Sequence, residues 1–284
     1  MTTDTAQPDV REVVAALDGR YPREWAEQWD KVGLVLGDFD TAVGRVLCVV
    51  DCVPETVDEA LAVGADLIVA HHPLLLKAVS SIAPDTYKGR IVHRLIRAGV
   101  ALYVAHTNAD IANPGVSDAL AARLDLAGLR PLVPASGPGE GDGRGIGRVG
   151  ELAVPMPLAE LAGFAAGRLP ATAAGVRAAG DPERMIRTLA VCGGAGDSFL
   201  AEATKAGADA YLCADLRHHP ASEHLAAGGP ALLDVAHWAS ERPWLDEVAE
   251  WLRGSFPVEA LVSDLDTDPW TVHATSPSQK ETIQ

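Results

Sequence analysis

The stretch Asp66-Leu-Ile-Val-Ala-His71-His72-Pro73 decides the fold, because a short apolar run ends abruptly in two histidines and a proline. The run has the length and composition of a buried strand, which we predict over 66–70. A helix is predicted before it over 54–63, since it begins with Pro54 and ends at Gly64. Further strands at 45–50 and 101–105 and a helix at 91–98 complete an alternation typical of an α/β fold with parallel strands.

Histidines come directly after two of these predicted strands. His71 and His72 come after the strand at 66–70, and His106 comes after the strand at 101–105, with Asp110 four residues later. Ligands of open α/β sheets bind at the carboxyl ends of the strands. We therefore expect these four side chains to share one crevice.

The second half of the chain repeats the alternation of helices and strands. It predicts helices at 158–168, 198–206 and about 240–253, and strands at 188–192, 210–213, 231–235 and 258–263. The glycine-rich stretch 134–147 predicts a flexible linker between the halves. We expect two similar, interlocked α/β lobes in three layers, with a metal site in the crevice between them. The expected units are an N-terminal lobe over 8–133, the linker, a second lobe over 148–273 whose C-terminal part returns to the site, and a disordered tail over 274–284.

Five residues form a candidate metal-ligand set. These are His71, His72, Asp110, His237 and Glu241. The last two are four residues apart, which places them on one face of a helix. Nitrogen and oxygen ligands of this kind suit Zn, Mn, Fe, Co or Ni, and five ligands exceed what one tetrahedral ion needs, so we predict two divalent ions per chain.

Each of these motifs also has an ordinary structural interpretation. Adjacent histidines can be hydrogen-bonded loop residues, and Asp110 can begin a turn before Asn113-Pro114-Gly115. His237 can cap a helix with an acidic first turn. The metal hypothesis rests on the combination, since several such motifs stand at predicted strand ends in one chain.

Composition excludes several classes of protein. The 284 residues are 48% hydrophobic and 22% charged, which predicts a mostly folded chain. The net charge of −16 argues against nucleic-acid binding through general electrostatics. The four cysteines show no zinc-ribbon spacing and predict buried, reduced thiols. The polar N-terminus and the lack of a long apolar run predict a cytoplasmic protein without membrane contact.

An ordered set of motifs resembles a known family. The set comprises Trp29-Asp30-Lys31-Val32-Gly33-Leu34, Asp66 to Pro73, His106-Thr-Asn-Ala-Asp110, Cys192-Gly-Gly-Ala-Gly-Asp-Ser198, Gly207-Ala-Asp-Ala-Tyr-Leu, Asp215-Leu-Arg-His-His219 and His237-x-x-x-Glu241. From about Val10 to His273 the chain is similar to the Nif-three-like family of dinuclear metal-centre hexameric proteins, often labelled type 2 homologues of GTP cyclohydrolase I. It resembles the short form, which lacks a domain inserted between the halves.

The resemblance implies that the five residues named above bind two divalent metals, and that the protein is a homohexamer. It makes His106 a residue that supports the ligands rather than one of them. The chain departs from the family pattern at Lys31, where asparagine is usual, and at Ala236 and Trp238, where glycine and tyrosine are usual. These departures leave the ligands unchanged and bear on the shape of the substrate pocket.

The residues and the resemblance support two functional hypotheses. The first is a metal-dependent hydrolase, of cyclohydrolase or phosphoesterase type, that acts on a nucleotide-like or phosphorylated small molecule, with His106 or His218 as the proton donor. The second is a non-enzymatic metal-handling or regulatory assembly, or a scaffold. Asp215, His218 and His219 could serve the site or face solvent or a neighbouring subunit. The Gly193–Gly196 turn could cradle a phosphate or be a tight strand-to-helix turn.

Overall fold

Two β-sheets and the helices beside them make up the computed structural model, which describes residues 7–136 and 141–274. The first half contributes α1 (Val10–Arg20), β1 (Gly33–Leu36), β2 (Arg45–Val49), α2 (Pro54–Val63), β3 (Leu67–Ala70), α3 (Tyr87–Ala98), β4 (Ala101–Val104), α4 (Thr107–Asp110) and α5 (Val116–Arg123). The second half contributes β5 (Leu126–Pro134), β6 (Gly145–Pro157), α6 (Leu158–Arg168), β7 (Val176–Ala179), β8 (Met185–Ala195), α7 (Leu200–Lys205), β9 (Ala210–Ala214), α8 (His218–Ala226), β10 (Ala231–Val235), α9 (His237–Ser255) and β11 (Glu259–Val262).

Both sheets share a parallel core. The strand order is β1-β4-β3-β2-β11 in the first sheet and β5-β6-β8-β9-β10-β7 in the second. Strands β2, β3 and β4 run parallel, as do β8, β9 and β10. An antiparallel strand lies outside the last of each set, β1 beside β4 and β7 beside β10. The predicted fold class, two similar α/β lobes, is confirmed.

Each sheet is covered by helices on both faces, which gives three layers per lobe. One face of the first sheet packs against α1 and α9, and the other packs against α2 and α3. The second sheet packs against α5 and α6 on one face and α7 and α8 on the other. Because both faces of the parallel strands are buried, their sequences are continuous apolar runs rather than alternating ones.

Local sequence determines where the helices begin and end. The Asp9 carboxylate accepts a hydrogen bond from the backbone N–H of Glu12 (2.8 Å), and the Glu12 carboxylate accepts one from the backbone N–H of Asp9 (3.1 Å). This reciprocal cap starts α1. Helix α2 has Pro54 in its first turn and ends at Gly64, whose φ of 68° is a left-handed conformation that glycine adopts without strain.

The lobes interlock through α5 and α9. Val116 at the start of α5 belongs to the apolar core of the first lobe, whereas Leu120 one turn later belongs to the core of the second. Helix α9 comes after the second sheet, but Trp244 and Val248 pack into the core of the first lobe. Strand β11 then pairs with β2, so the end of the described chain completes the first sheet.

Several observed elements differ from the sequence-based expectation. The helix predicted at 198–206 is a 3-10 turn (Asp197–Phe199) followed by α7, and the strand predicted at 188–192 is the centre of the longer β8. Strands β1, β5, β6 and β7 were not predicted. They pair in antiparallel fashion. Strands β5 and β6 are interrupted by glycine and proline, and β1 and β7 are only four residues long, so their sequence signal is weak.

The predicted linker 134–147 begins at the last residue of β5 and ends inside β6, which pair as an antiparallel hairpin. Residues 137–140 lie outside the described ranges, as does the predicted tail apart from residue 274. The division into units of 8–133 and 148–273 stays a prediction. The four cysteines, Cys48, Cys52, Cys192 and Cys213, are buried and free. Within the described residues, no helix is both long and apolar enough to cross a bilayer.

Candidate metal centre

Three chain segments meet at the carboxyl ends of the parallel strands of the first sheet. His71 and His72 come directly after β3, and His106 comes after β4 with one intervening residue. The third segment is the start of α9, where extended backbone at Ala236 gives way to helix at His237. Because the helix begins at His237, the side chain of Glu241 lies one turn further on the same face.

The carboxylate of Glu241 lies at the centre of the cluster and is 3% exposed. Its Oε1 lies 3.0 Å from His237 Nε2 and 3.4 Å from His71 Nε2, and its Oε2 lies 3.0 Å from His72 Nε2. Asp110 Oδ1 lies 3.7 Å from His71 Nε2. The structure therefore brings together the five side chains that the sequence analysis selected as ligands.

Every histidine of the cluster has its other ring nitrogen held by an oxygen. The Nδ1 atoms of His71, His72, His106 and His237 lie 2.9, 2.8, 2.9 and 2.7 Å from Ala105 O, Asp51 Oδ1, Asp30 Oδ1 and Asp215 Oδ2, respectively. An oxygen at Nδ1 requires a proton there, which leaves the lone pair of a neutral imidazole on Nε2. Metal-binding histidines characteristically make this contact through the nitrogen that does not bind the metal.

Three buried polar atoms of the cluster have no hydrogen-bond partner. They are His71 Nε2, Asp110 Oδ1 and Glu241 Oε2. The Glu241 oxygen is close to His72 Nε2 but does not accept a hydrogen bond from it. Buried polar groups without partners are costly and uncommon in folded proteins. All three are atoms that a divalent cation accepts as ligands, so the donor set fits a metal.

The charged groups of the cluster shift one another's pKa values. Burial opposes the charged form of His72, but Glu241 and Asp51 raise its pKa to about 10. Burial likewise opposes charge on His237, whose pKa Glu241 and Asp215 raise to about 11. The reciprocal effect of the histidines overcomes burial and holds the pKa of Glu241 well below its usual range. Without a bound metal, His72 and His237 therefore carry an extra proton on Nε2, the nitrogen that a cation would take.

The carboxyl group of Asp110 behaves differently from that of Glu241. Burial, reinforced by the nearby charge of Glu241, raises the pKa of Asp110 to about 7. Two ionised carboxylates placed side by side in a buried site repel each other unless a positive charge lies between them. Asp110 is therefore suited to ionise when a cation is bound.

The ligand atoms fall into two overlapping groups. His71, His72 and His106 form one, and His72, His237 and Glu241 form the other, with the ligand atoms of each group within 4.8 Å of one another. The sequence analysis gave His106 a catalytic or supporting role, and the structure places it beside His71 and His72, within reach of either role. His72 is common to both groups.

Gly194, near the end of β8, packs against the side chains of His237 and Glu241. Its φ is 70°, and a Cβ atom there would collide with Glu241 Oε1 and lie 3.1 Å from His237 Nε2. Its N–H donates to Ser240 Oγ (2.8 Å), and the N–H of Gly193 donates to Ser117 Oγ (3.2 Å). These two N–H groups therefore have hydroxyl partners. The turn predicted at Gly193–Gly196 is instead mostly the end of strand β8, which continues to Ala195 and packs against Glu241.

Three carboxylates hold histidines of the cluster: Asp30 and Asp51 were not selected from the sequence, and Asp215 was left open between serving the site and facing solvent or a neighbouring subunit. Asp30 also accepts hydrogen bonds from the N–H (3.0 Å) and hydroxyl of Thr107, which fixes the start of α4. Asp51 lies just beyond β2, and Asp215 lies just beyond β9 with a left-handed φ of 58°. A non-glycine residue in that region is strained, and such strain is found where a side chain must be aimed. The sequence feature that could have identified Asp51 and Asp215 is their position, because both stand just beyond predicted strands.

His218 lies apart from the cluster in the described structure. It begins α8, is exposed, and packs its ring against His219 with centroids 5.1 Å apart. Neither histidine lines the cleft beside the cluster or belongs to the two ligand groups. The catalytic role predicted for His218 stays a prediction.

A cleft of about 700 Å³ opens beside the cluster. His72 and His237 lie in its wall, as do Arg177 of β7, Asp234 and Val235 of β10, and the segment 267–273, which has no regular secondary structure. Thr267 of that segment donates a hydrogen bond to the Asp51 carboxylate, the group that holds His72. The cluster is therefore reachable from the crevice between the two lobes.

Relatives of this chain were found by sequence and by structure. A protein of Streptomyces coelicolor named GTP cyclohydrolase 1 type 2 homolog is 55% identical, with 95% of this chain and 96% of that one covered. A protein of Mycobacterium bovis with the same name is 36% identical, with 94% and 98% covered over 374 aligned positions. The second alignment is longer than this chain, so the mycobacterial protein carries additional residues.

Solved structures show the same fold. A Bacillus cereus protein related to NIF3 superposes with a TM-score of 0.87 at 24% identity, covering 94% of this chain and 99% of that one. A hypothetical protein of Staphylococcus aureus gives 0.84 at 26% identity, covering 94% and 100%. A family model described as Duf34/NIF3 (NGG1p interacting factor 3) matches residues 8–269. The chain therefore belongs to the Duf34/NIF3 family.

Proposed function

We propose that this protein binds two divalent metal ions and is a metal-dependent hydrolase of a nucleotide-like or phosphorylated small molecule. One observation carries the proposal: four imidazoles with their Nδ1 atoms held by oxygens direct their Nε2 atoms toward a buried cluster that includes Asp110 and Glu241. A structural role alone would not require so many polar atoms without partners in one place.

Two ions are proposed because imidazole nitrogens lie beside both oxygens of the central carboxylate. Glu241 supports both, since its Oε1 lies near His71 and His237 and its Oε2 lies near His72. We propose His71, His72, Asp110, His237 and Glu241 as the ligands. The absence of cysteine from the set favours Zn, Mn, Fe, Co or Ni without selecting among them.

The proposed chemistry is attack by water on phosphorus or on an electrophilic ring carbon. Ions bound there would lower the pKa of water toward neutrality and stabilise developing negative charge. His106, held by Asp30, is the proposed proton donor, and His218 is the second candidate from the sequence analysis. The name of the two relatives, GTP cyclohydrolase 1 type 2 homolog, agrees with ring opening, which begins with addition of water at carbon.

The second candidate function is a non-enzymatic metal-handling or regulatory assembly. The proposed ligand set favours catalysis, because five protein ligands shared by two ions leave positions for water or substrate, whereas structural sites are saturated by protein ligands. A homohexameric assembly and a cytoplasmic location are also part of the proposal, on the basis of the family resemblance.

The test is a screen for hydrolysis by protein reconstituted separately with each of the five metals. Phosphomonoesters, nucleotides and purine nucleosides are supplied, and the release of phosphate and formate is measured. We expect turnover with at least one metal, loss of turnover on chelation, and a decrease in kcat of about 10²-fold or more in His106→Ala at unchanged metal content. Fully loaded protein that turns over none of these classes would instead favour the non-enzymatic assembly.

A further inference from the structure

The cleft beside the metal centre has an aromatic and apolar side. Trp238 and Trp270 line it together with Pro269 and Val272. Trp270 is 69% exposed although large aromatic side chains usually bury most of their surface. An exposed indole in the wall of a cleft is a platform on which a flat ring can stack, and such stacking depends little on which base is bound.

The charges of the cleft are unfavourable for a polyanion. Four carboxylates line it: Asp51 and Asp215 hold the imidazoles of His72 and His237, Asp234 is paired with Arg177, and Asp268 has no ion pair among the described residues. Among the described residues that line the cleft, Arg177 is the only arginine or lysine. Phosphate binding away from metal ions requires a local excess of Lys and Arg. A single phosphate could contact the metals, but further phosphates would meet no unpaired lysine or arginine among the described residues of the cleft and would lie near the unpaired carboxylate of Asp268.

Asp268 gives the cleft a preference for ligands with N–H donors. Its Oδ1 accepts a hydrogen bond from the backbone N–H of Trp270 (3.0 Å), whereas its buried Oδ2 has no partner. Asp268 stands two residues before Trp270, so its carboxylate lies near the stacking platform. A carboxylate oxygen in this state is stabilised by an N–H donor and destabilised by a phosphate.

We propose that the substrate is a planar nitrogen heterocycle with N–H donors and at most one phosphate group, and that the cleft selects against polyphosphates. This inference rests on the proposed function, since the single phosphate or the reacting ring atom is taken to contact the metals. The ring stacks on Trp270, and Asp268 accepts from its N–H groups. Trp270 and Asp268 are therefore residues that determine specificity.

The test compares four probes on the full-length, metal-loaded protein at constant ionic strength: guanosine, GMP, GTP and ribose 5-phosphate. Affinities are measured by calorimetry, and the metal content is determined before and after each titration because triphosphates chelate divalent ions. We expect guanosine and GMP to bind at least about tenfold more tightly than GTP, and we expect ribose 5-phosphate to bind through its phosphate alone.

Two variants and a control test whether Trp270 and Asp268 cause the preference among these probes. Trp270→Ala should weaken binding of guanosine and GMP by about tenfold and leave ribose 5-phosphate unchanged. Asp268→Asn should weaken GMP binding and reduce the difference between GMP and GTP. Tyr87→Ala, which removes an exposed aromatic side chain that does not line this cleft, should change none of these affinities.

The outcomes separate this inference from the proposed function. Protein that retains full metal content but binds GTP as tightly as GMP, binds neither guanosine nor GMP, or is unaffected by Trp270→Ala would overturn the inference and leave the metal centre intact. Protein that cannot be loaded with metal would instead overturn the proposed function.

Discussion

The two lobes share one construction and differ at the ends of their strands. In the first lobe Asp66 Oδ2 accepts hydrogen bonds from two successive backbone N–H groups of the neighbouring segment (2.8 and 2.9 Å). In the second lobe Asp209 Oδ2 does the same (both 2.9 Å). Each aspartate comes after a Gly-Ala pair and precedes the central strand of its sheet. The repeated feature fixes the strands, so the shared part of the construction is structural.

The residues just beyond the carboxyl ends of those strands carry the chemistry. Strand β3 leads into His71 and His72, two proposed ligands, whereas β9 leads into Asp215, which holds a ligand instead of being one. The second lobe supplies its ligands, His237 and Glu241, from α9, and most of that helix packs in the core of the first lobe. The candidate metal centre is therefore anchored on the first lobe, and the second lobe completes it. This difference predicts which substitutions remove metal and which only weaken the fold.

The largest effect is expected for Glu241→Gln. Glu241 is buried among three imidazoles, so loss of its charge removes a shared ligand from both proposed ions. We expect metal affinity, measured by competition with a chelator, to fall by more than about 100-fold, the upper end of the loss caused by removing a supporting partner. Glu247→Gln on the same helix should retain native affinity. Equal affinities for both variants would show that Glu241 does not bind the metals.

Next comes Gly194→Ala, compared with Gly207→Ala. Both glycines have left-handed φ values, 70° and 72°, so alanine should destabilise each fold by about 1–2 kcal/mol. A Cβ at Gly207 meets no atom within 4 Å, whereas a Cβ at Gly194 collides with the Glu241 carboxylate. We expect the two variants to have similar melting temperatures and only Gly194→Ala to lose metal. Retention of metal by Gly194→Ala would contradict the close packing of the second sheet against the ligands.

A smaller effect is expected when a supporting carboxylate is neutralised. Asp215→Asn and Asp51→Asn should weaken metal binding by about 10–100-fold, because each removes the charge that holds a ligating imidazole. Asparagine tolerates the left-handed backbone at position 215, so the fold should be kept. Asp209→Asn should have the opposite effect, namely lower stability of the fold and unchanged metal affinity. If Asp215→Asn lost stability but no affinity, the two lobes would not differ in the way described.

The smallest effect is a change in proton balance. The pKa values of His72 and His237, about 10 and 11, are raised above the usual value, so both imidazoles carry an extra proton at pH 7 when no metal is bound. Metal loading at pH 7 should release between about two and three protons, one each from His72 and His237 and a fraction of one from Asp110, detected by calorimetry in buffers of different ionisation enthalpy. The stabilisation from these charged imidazoles is complete below their unfolded pKa and is lost as pH rises through about 10 to 11. Binding without proton release would contradict the proposed ligands.

The sequence predicted those parts of the molecule that depend on local pattern. Apolar runs bounded by glycine, proline or histidine indicated the parallel strands, and His71, His72 and His237 come within two residues of such runs. Asp110 and Glu241 each stand four residues after a histidine. The supporting carboxylates Asp30 and Asp51 were missed because their partners are distant in sequence: Asp30 and His106 are 76 residues apart, and Asp51 and His72 are 21 apart. Only the pairing of strands in space brings such groups together. The same holds for β11, whose place beside β2 depends on α9 crossing to the first lobe.

The most direct test of the central claim is the metal content per chain, measured by elemental analysis on protein purified without chelator or histidine tag and compared with His237→Ala. We expect about two ions in the native protein and a clear loss in the variant. Native protein with almost no metal, which added Zn, Mn, Fe, Co or Ni does not restore, would contradict the dinuclear centre. It would leave a metal-free binding protein or scaffold as the better account of this fold.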